Sequence, residues 1–365
     1  MDMIAIIETL GEGWTLALGG GVIGLVFGVF AQQSRFCLRA AVVEFVRGDL
    51  GSKTAVWLTV FSAAVAGTAA LAFTGTINTL EARQIATPQS LAGAALGGLM
   101  FGTGMILARG CASRLLVLAA TGNLRALMSG LVFAVVAQAS LHGFLSPLRE
   151  AIAASLTTAS TGGNDILALL RLDMKTALAL ATLALAASLA LSLWRGNGAW
   201  RTAAALGVGA AIPLAWWFTG AMAGIAFTPV EMEAVTFTGP SADTLMLFLN
   251  GPESGIDYDV GLVPGVFAGS FLAALATREL KLQGFEGGRA MRRYLAGAAL
   301  MGFGGMLAGG CAVGAGVTGA SVFALTAWVT LFAIWLSAGI TERLVGQGGE
   351  GGPVGTGVTG LSAAN

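Results

Sequence analysis

The sequence predicts an all-α polytopic membrane protein, with nine transmembrane helices, four shorter re-entrant half-helices and an inverted internal repeat. Three observations carry this. Only 10 % of the 365 residues are charged, 56 % are hydrophobic and the mean hydropathy is +0.81. A soluble domain carries about 25 % charged residues, so most of this chain must face lipid or other helices. Nine apolar stretches reach the roughly 20 residues needed to cross the hydrocarbon core. Finally, Gly102-Thr103-Gly104-Met105-Ile106-Leu107-Ala108-Arg109-Gly110-Cys111-Ala112 recurs as Gly302-Phe303-Gly304-Gly305-Met306-Leu307-Ala308-Gly309-Gly310-Cys311-Ala312, offset by 200 residues without a gap.

Taken in order, the spans are predicted near 13–31, 54–75, 90–109, 123–143, 175–194, 201–219, 259–277, 290–309 and 321–341. The N-terminus, Met1 to Leu10, is acidic and lacks the basic region of a cleavable signal, so the first span is expected to be retained. Shorter apolar segments remain near 37–47, 111–120, 241–250 and 311–319, each after a Gly, Pro or Cys break. Segments of that length read as re-entrant, and irregular backbone at membrane depth is tolerated only where protein buries it or a watery cavity meets it. Four half-helices should therefore enter from the two faces and frame a site.

Charge predicts the orientation. Arg35, Arg39, Arg47, Lys53, Arg109, Arg114, Arg125, Arg195, Arg201, Arg278, Lys281, Arg289, Arg292, Arg293 and Arg343 fall on one side, which is 15 of the 19 basic residues. Arg83, Arg149, Arg171 and Lys175 fall on the other, together with the acidic connection carrying Glu231, Glu233, Asp243, Glu253, Asp257 and Asp259. The positive-inside rule puts the N-terminus outside and the C-terminus in the cytoplasm. Cys111 then follows span 3 and Cys311 follows span 8. An odd number of spans separates them, so the two copies run in opposite directions, the construction of many transporters. The predicted units are 1–150 (spans 1–4), a linking span within 151–200, 201–345 (spans 6–9) and a disordered cytoplasmic tail over 346–365.

The same offset carries Cys37 to Phe237, within Thr236-Phe237-Thr238-Gly239-Pro240. Three Cys and one Thr/Gly loop are thus expected to head the four half-helices. Helix N-termini present free N–H groups and partial positive charge to anions, and thiols add weak S–H donors and soft sulfur acceptors. That combination suits a small anion that itself contains sulfur. Close packing of small residues explains Gly102, Gly104, Gly302 and Gly304 but not a Cys at the same place after each break. Gln33, Arg35 and Arg109 could line an inner vestibule, or serve as backbone partners and snorkelling anchors. Trp57, Trp194, Trp200, Trp216 and Trp217 read as interfacial belt residues.

No basic block points to nucleic acid, and an odd count of three scattered Cys does not form a disulfide framework. A membrane sulfurtransferase or thiol enzyme would need a base beside a Cys, and a soft-metal transporter would hold its cargo on three thiolates. No Cys-x-x-Cys occurs and no His lies near any Cys in sequence. No catalytic set, resident metal site or cofactor is therefore predicted.

Gln33-Ser34-Arg35-Phe36-Cys37-Leu38-Arg39, Ala108-Arg109-Gly110-Cys111-Ala112, Thr236-Phe237-Thr238-Gly239 and Gly309-Gly310-Cys311-Ala312-Val313-Gly314 resemble the YeeE/YedE family of sulfur-transport membrane proteins over nearly the whole chain. The resemblance implies an hourglass-shaped bacterial inner-membrane protein that takes up thiosulfate, with Cys37, Cys111 and Cys311 relaying the ion along a central path. The expected substrate-binding set is Cys37, Cys111, Cys311, Gly110, Gly310, Thr236, Thr238 and Gly239. The resemblance also implies a small cytoplasmic SirA/TusA-type sulfur-carrier partner for some members, and selenium metabolism for others.

Overall fold

The computed structural model describes residues 3–251, 255–285 and 287–346. Glu253 and the tail predicted beyond Gly346 lie outside these residues. The helices are α1 (Met3–Leu10), α2 (Glu12–Ser34), α3 (Leu38–Val46), α4 (Ser52–Phe73), α5 (Arg83–Ala86), α6 (Leu91–Leu107), α7 (Ala112–Ala120), α8 (Leu124–Leu141) and α9 (Ser146–Ala154). They continue with α10 (Ile166–Leu170), α11 (Met174–Trp194), α12 (Gly198–Ala223), α13 (Thr238–Asn250), α14 (Tyr258–Ala276) and α15 (Gly288–Leu307). A π-helical segment (Ala312–Thr318), α16 (Gly319–Ser321) and α17 (Leu325–Gly346) complete the described chain.

Nine helical segments among the described residues are long and apolar enough to cross a membrane. They are built on α2, α4, α6, α8, α11, α12, α14, α15 and α17, and coincide with the nine predicted spans to within a few residues. The protein is a multi-pass, all-helical membrane protein. The short segments also form where expected, with one shift: α13 begins at Thr238 rather than near Ser241. Gly239-Pro240 reads as a break in the sequence, but a proline in the first turn removes only an N–H that has no partner there anyway.

Glycine decides which helices touch. Gly20, Gly24 and Gly28 on α2, and Gly261, Gly265 and Gly269 on α14, recur every four residues and so share one helix face. A Cβ at Gly24 would strike the carbonyl oxygen of Leu262, and one at Gly265 that of Gly21. Backbones this close gain dispersion energy that longer side chains would forbid. The α6–α15 contact repeats the device. A Cβ at Gly97 would lie 2.5 Å from Gly304 O, and one at Gly297 2.7 Å from Gly104 O.

The packing scheme repeats between the halves. In chain order α2, α3, α4, α6, α7 and α8 match α12, α13, α14, α15, the π-helical segment and α17. The packed pair α2–α14 then has its counterpart in α12–α4, α6–α17 in α15–α8, α3–α4 in α13–α14, and α3–α17 in α13–α8. Helix α11 packs outside this scheme, against α4 and α12.

Two of the five belt tryptophans are corrected. Trp216 is fully buried, donating from Nε1 to Ser321 Oγ at 3.1 Å, and Trp57 is buried against Phe61 with ring centroids 5.2 Å apart. Both lie on the helix faces that pack inward, where the indole fills core volume. Trp194, Trp200 and Trp217 are exposed.

Candidate functional site

Four short helices begin at N-caps 37, 111, 237 and 311, two pairs separated by 200 residues. Cys37, Cys111 and Cys311 occupy three of them and Phe237 the fourth. Each Cys has the extended backbone typical of an N-cap. What precedes the caps differs. Arg35 (φ 56°) and Arg109 (φ 58°) adopt the left-handed conformation, and Gly309 (φ 77°) does so at the position matching Arg109. At the first copy the turn is therefore made by Arg109 rather than by Gly110. Gly310 has φ 157°, and a Cβ there would lie 2.7 Å from Ala315 N. This second copy needs its glycine for both conformation and space.

The cap side chains divide into two groups. The thiols of Cys37 and Cys111 are neighbours, and Cys111 Sγ is 3.4 Å from Ser113 Oγ. Neither thiol makes a close side-chain cap to its own helix, although the N–H groups of Ala40 and Arg114, in the first turns of α3 and α7, are turned towards Cys37 and Cys111. Arg114 and Arg39 are the cationic neighbours of Cys37. Arg114 Nη1 and Arg39 Nε are buried without hydrogen-bond partners, while Arg39 Nη2 reaches Glu342 at 4.0 Å.

Cys311 belongs to the other group. Its sulfur accepts from Gly314 N at 3.4 Å, with the N–H groups of Val313 and Phe237 also turned towards it. Phe237 packs on Phe27 with ring centroids 5.4 Å apart. Cys111 and Cys311 are each 1 % exposed, and Cys37 is half-buried. All three thiols are free.

A cavity of about 400 Å³ opens beside the second group. Thr236, Thr238, Gly239 and Gly310 line it, so it ends one residue from Cys311. Arg83, Arg149, Glu231, Asp243 and Asp259 supply its charge. Thr238 is 1 % exposed and its hydroxyl has no partner. Gly110 is buried against Leu115 instead, away from this cavity.

The vestibule candidates are tied to the protein. Gln33 Oε1 accepts from Trp200 Nε1 at 3.2 Å, Arg35 pairs with Glu279 at 3.1 Å, and Arg109 Nη1 donates to Tyr294 OH at 3.4 Å. Among the described residues no group of His, Cys, Asp and Glu could hold a metal ion. The sequence alone marks Arg114 only as one of the basic residues that set the orientation. The available signal is its place one turn after Cys111, on the helix that starts there.

These features define a multi-pass membrane transporter whose buried helix ends are headed by thiols. Residues 33–340 match the sulphur-transport family, YeeE/YedE, and the chain belongs to it. Its members are transporters rather than enzymes. The chain is also similar to the thiosulfate transporter TsuA of Escherichia coli (strain K12), 28 % identical over 359 residues that cover 91 % of this chain and 95 % of the relative.

Proposed function

We propose that this protein carries thiosulfate across the bacterial inner membrane into the cytoplasm, handing the ion between thiols at half-helix N-termini. The observation that carries the reading is the placing of three thiols at three of four N-caps, in two pairs 200 residues apart. The repeated packing scheme supports an inverted repeat of 1–150 and 201–345, joined by the span in 151–200 and related by a twofold axis in the membrane plane. On that axis, α3, α7, α13 and the π-helical segment are re-entrant half-helices that meet at the waist of an hourglass. The charge count supports an external N-terminus and a cytoplasmic C-terminus. The relative's substrate supports thiosulfate over other sulfur or selenium species.

On this reading the ion enters from the cavity beside Gly310, meets Cys311 first, and passes to Cys111 and then Cys37. First-turn N–H groups and the Arg39 and Arg114 guanidiniums offset its charge. Each S–H hydrogen bond contributes about 1 kcal/mol or less, weak enough to release the ion as well as hold it. No covalent bond forms. Lipid surrounds the spans, and a SirA/TusA-type carrier collects sulfur at the cytoplasmic face.

Thiosulfate uptake in cells lacking other routes tests the reading. Folded Cys111→Ala and Cys311→Ala variants should each lose most uptake, and Cys→Ser should be impaired because the softer, longer sulfur contact is gone. Normal uptake by folded Cys111→Ala would remove the thiol relay. A mixed disulfide or persulfide persisting on one Cys during turnover would favour covalent sulfur transfer instead.

A further inference from the structure

The relay leaves one set of buried polar groups unused, and it lies at the doorway. A second cavity, about 550 Å³, adjoins the one that reaches Gly310, and Asp259 borders both. A Cβ at Gly239, in the first turn of α13, would lie 3.4 Å from Asp259 Oδ2 and 3.8 Å from Asp243 Oδ2. The Asp259 carboxyl thus stands at the helix end that would otherwise offer its N–H groups to an anion. Three polar atoms of residues lining these two cavities are buried without partners: Asp259 Oδ1, the Tyr258 hydroxyl and the Thr238 hydroxyl. Tyr258 is 2 % exposed and lines the second cavity with Asp259; Thr238 is 1 % exposed and lines the first.

The charges facing Asp259 come from every neighbouring element. Asp257 precedes it and caps its helix, accepting from Val260 N at 3.1 Å. Glu231 and Glu233 come from the connection before α13, and Asp243 from α13 itself, with His142 at the end of α8 facing Asp243. Glu12 on α2 is held by Phe227 N at 2.6 Å. The cations are Arg83, 3.9 Å from Glu231, and Arg149, 3.1 Å from Glu150. Six carboxyl groups therefore face two guanidiniums at the entrance for a divalent anion. With all of them ionised, the entrance would repel its substrate. Burial pushes Glu233, which lies outside the spans, up to about 7, with Arg83 opposing and Asp257, Glu231 and Asp243 adding to the rise.

The energetics of uptake call for a positive companion. With 100 mV inside negative, an uncoupled divalent anion would be held outside on the order of 10³-fold at equilibrium. We propose that Asp259 binds a proton from the outer solution, supported by the Tyr258 and Thr238 hydroxyls, and that this proton enters with the anion, making the protein a proton–thiosulfate symporter. The proposal rests on the thiosulfate reading and its orientation. Protonated Asp259 frees the α13 N-terminus for the anion, whereas ionised Asp259 occupies it.

The test uses the full chain in phosphatidylethanolamine–phosphatidylglycerol vesicles, with potassium and valinomycin fixing the potential and a trapped pH dye reading proton entry. Added thiosulfate should acidify the lumen, and an outside-acid gradient should raise labelled-thiosulfate accumulation at least several-fold without sodium. Folded Asp259→Asn should lose both proton entry and the response to the gradient. If Asp259→Asn fails to fold, the wild-type proton measurement still decides, with Tyr258→Phe as the second variant. Thiosulfate movement without proton entry, drive by a sodium gradient alone, or an unchanged gradient response in folded Asp259→Asn would overturn the proposal and leave the transport reading standing. No thiosulfate movement of any kind by folded protein would instead bring down the transport reading.

Discussion

The two cap pairs occupy matching places and do different chemistry. At 37 and 111 two thiols face each other, with arginine N–H groups beside them that have no hydrogen-bond partner. At 237 and 311 a phenylalanine replaces one thiol, the remaining sulfur is engaged by backbone N–H groups, and the neighbouring cavity carries aspartates as well as arginines. The order and packing partners of the helices are repeated, while the backbone before the caps and the side chains at them diverge. On the proposed path, the cations beside Cys37 and Cys111 would hold an anion more strongly than the carboxyl-bearing side beside Cys311.

The most damaging change should strike what the halves share. Gly265→Val and Gly97→Val each place side-chain atoms against a backbone carbonyl of the facing helix. Overpacking costs about 1–3 kcal/mol where side chains can yield, and more here, so the yield of monodisperse solubilised protein should collapse for both. Normal yield from either would break the shared-seam account.

Next come the caps, where the halves differ. Cys111→Ala and Cys311→Ala should lower uptake by about fivefold, the loss of a hydrogen bond of about 1 kcal/mol at each transfer. Cys37→Ala should cost less, roughly two- to threefold by the weaker end of the same range, because its counterpart Phe237 carries no thiol. Equal losses at all three positions would contradict the asymmetry. Rates of labelled-thiosulfate uptake, normalised to folded protein, decide it.

The acidic side should also set a pH dependence. Glu233 sits at about 7 in the folded protein against an ordinary 4.5. The folded state therefore binds more protons than the unfolded state between those values, and stability falls as pH rises through that window. The Tm in detergent should drop from pH 5 to pH 8, and Glu233→Gln should flatten the slope. A Tm that rises over the range would reverse the assignment. The smallest effect belongs to Gly130, whose added Cβ meets nothing within 4 Å. Gly130→Ala on α8 should leave uptake unchanged and raise stability by up to about 1 kcal/mol, a control that separates glycines in the seams from glycines outside them.

The nine spans, the four short helices and the special places of Cys37, Cys111 and Cys311 were legible in the chain itself. Hydrophobic runs of fixed length, helix breaks and an ungapped repeat are local or self-comparing signals, and the membrane permits few ways to satisfy them. Other features depended on contacts between distant segments. Nothing in the local sequence says that Cys37 meets Cys111, that Trp57 and Trp216 turn inward, or that Arg83, Arg149, Gly239 and Asp259 share one cavity. Those outcomes follow from which glycine faces dock. The energy of docking comes from close backbone approach summed over a whole helix pair, so only the assembled tertiary structure could decide where each polar side chain came to rest.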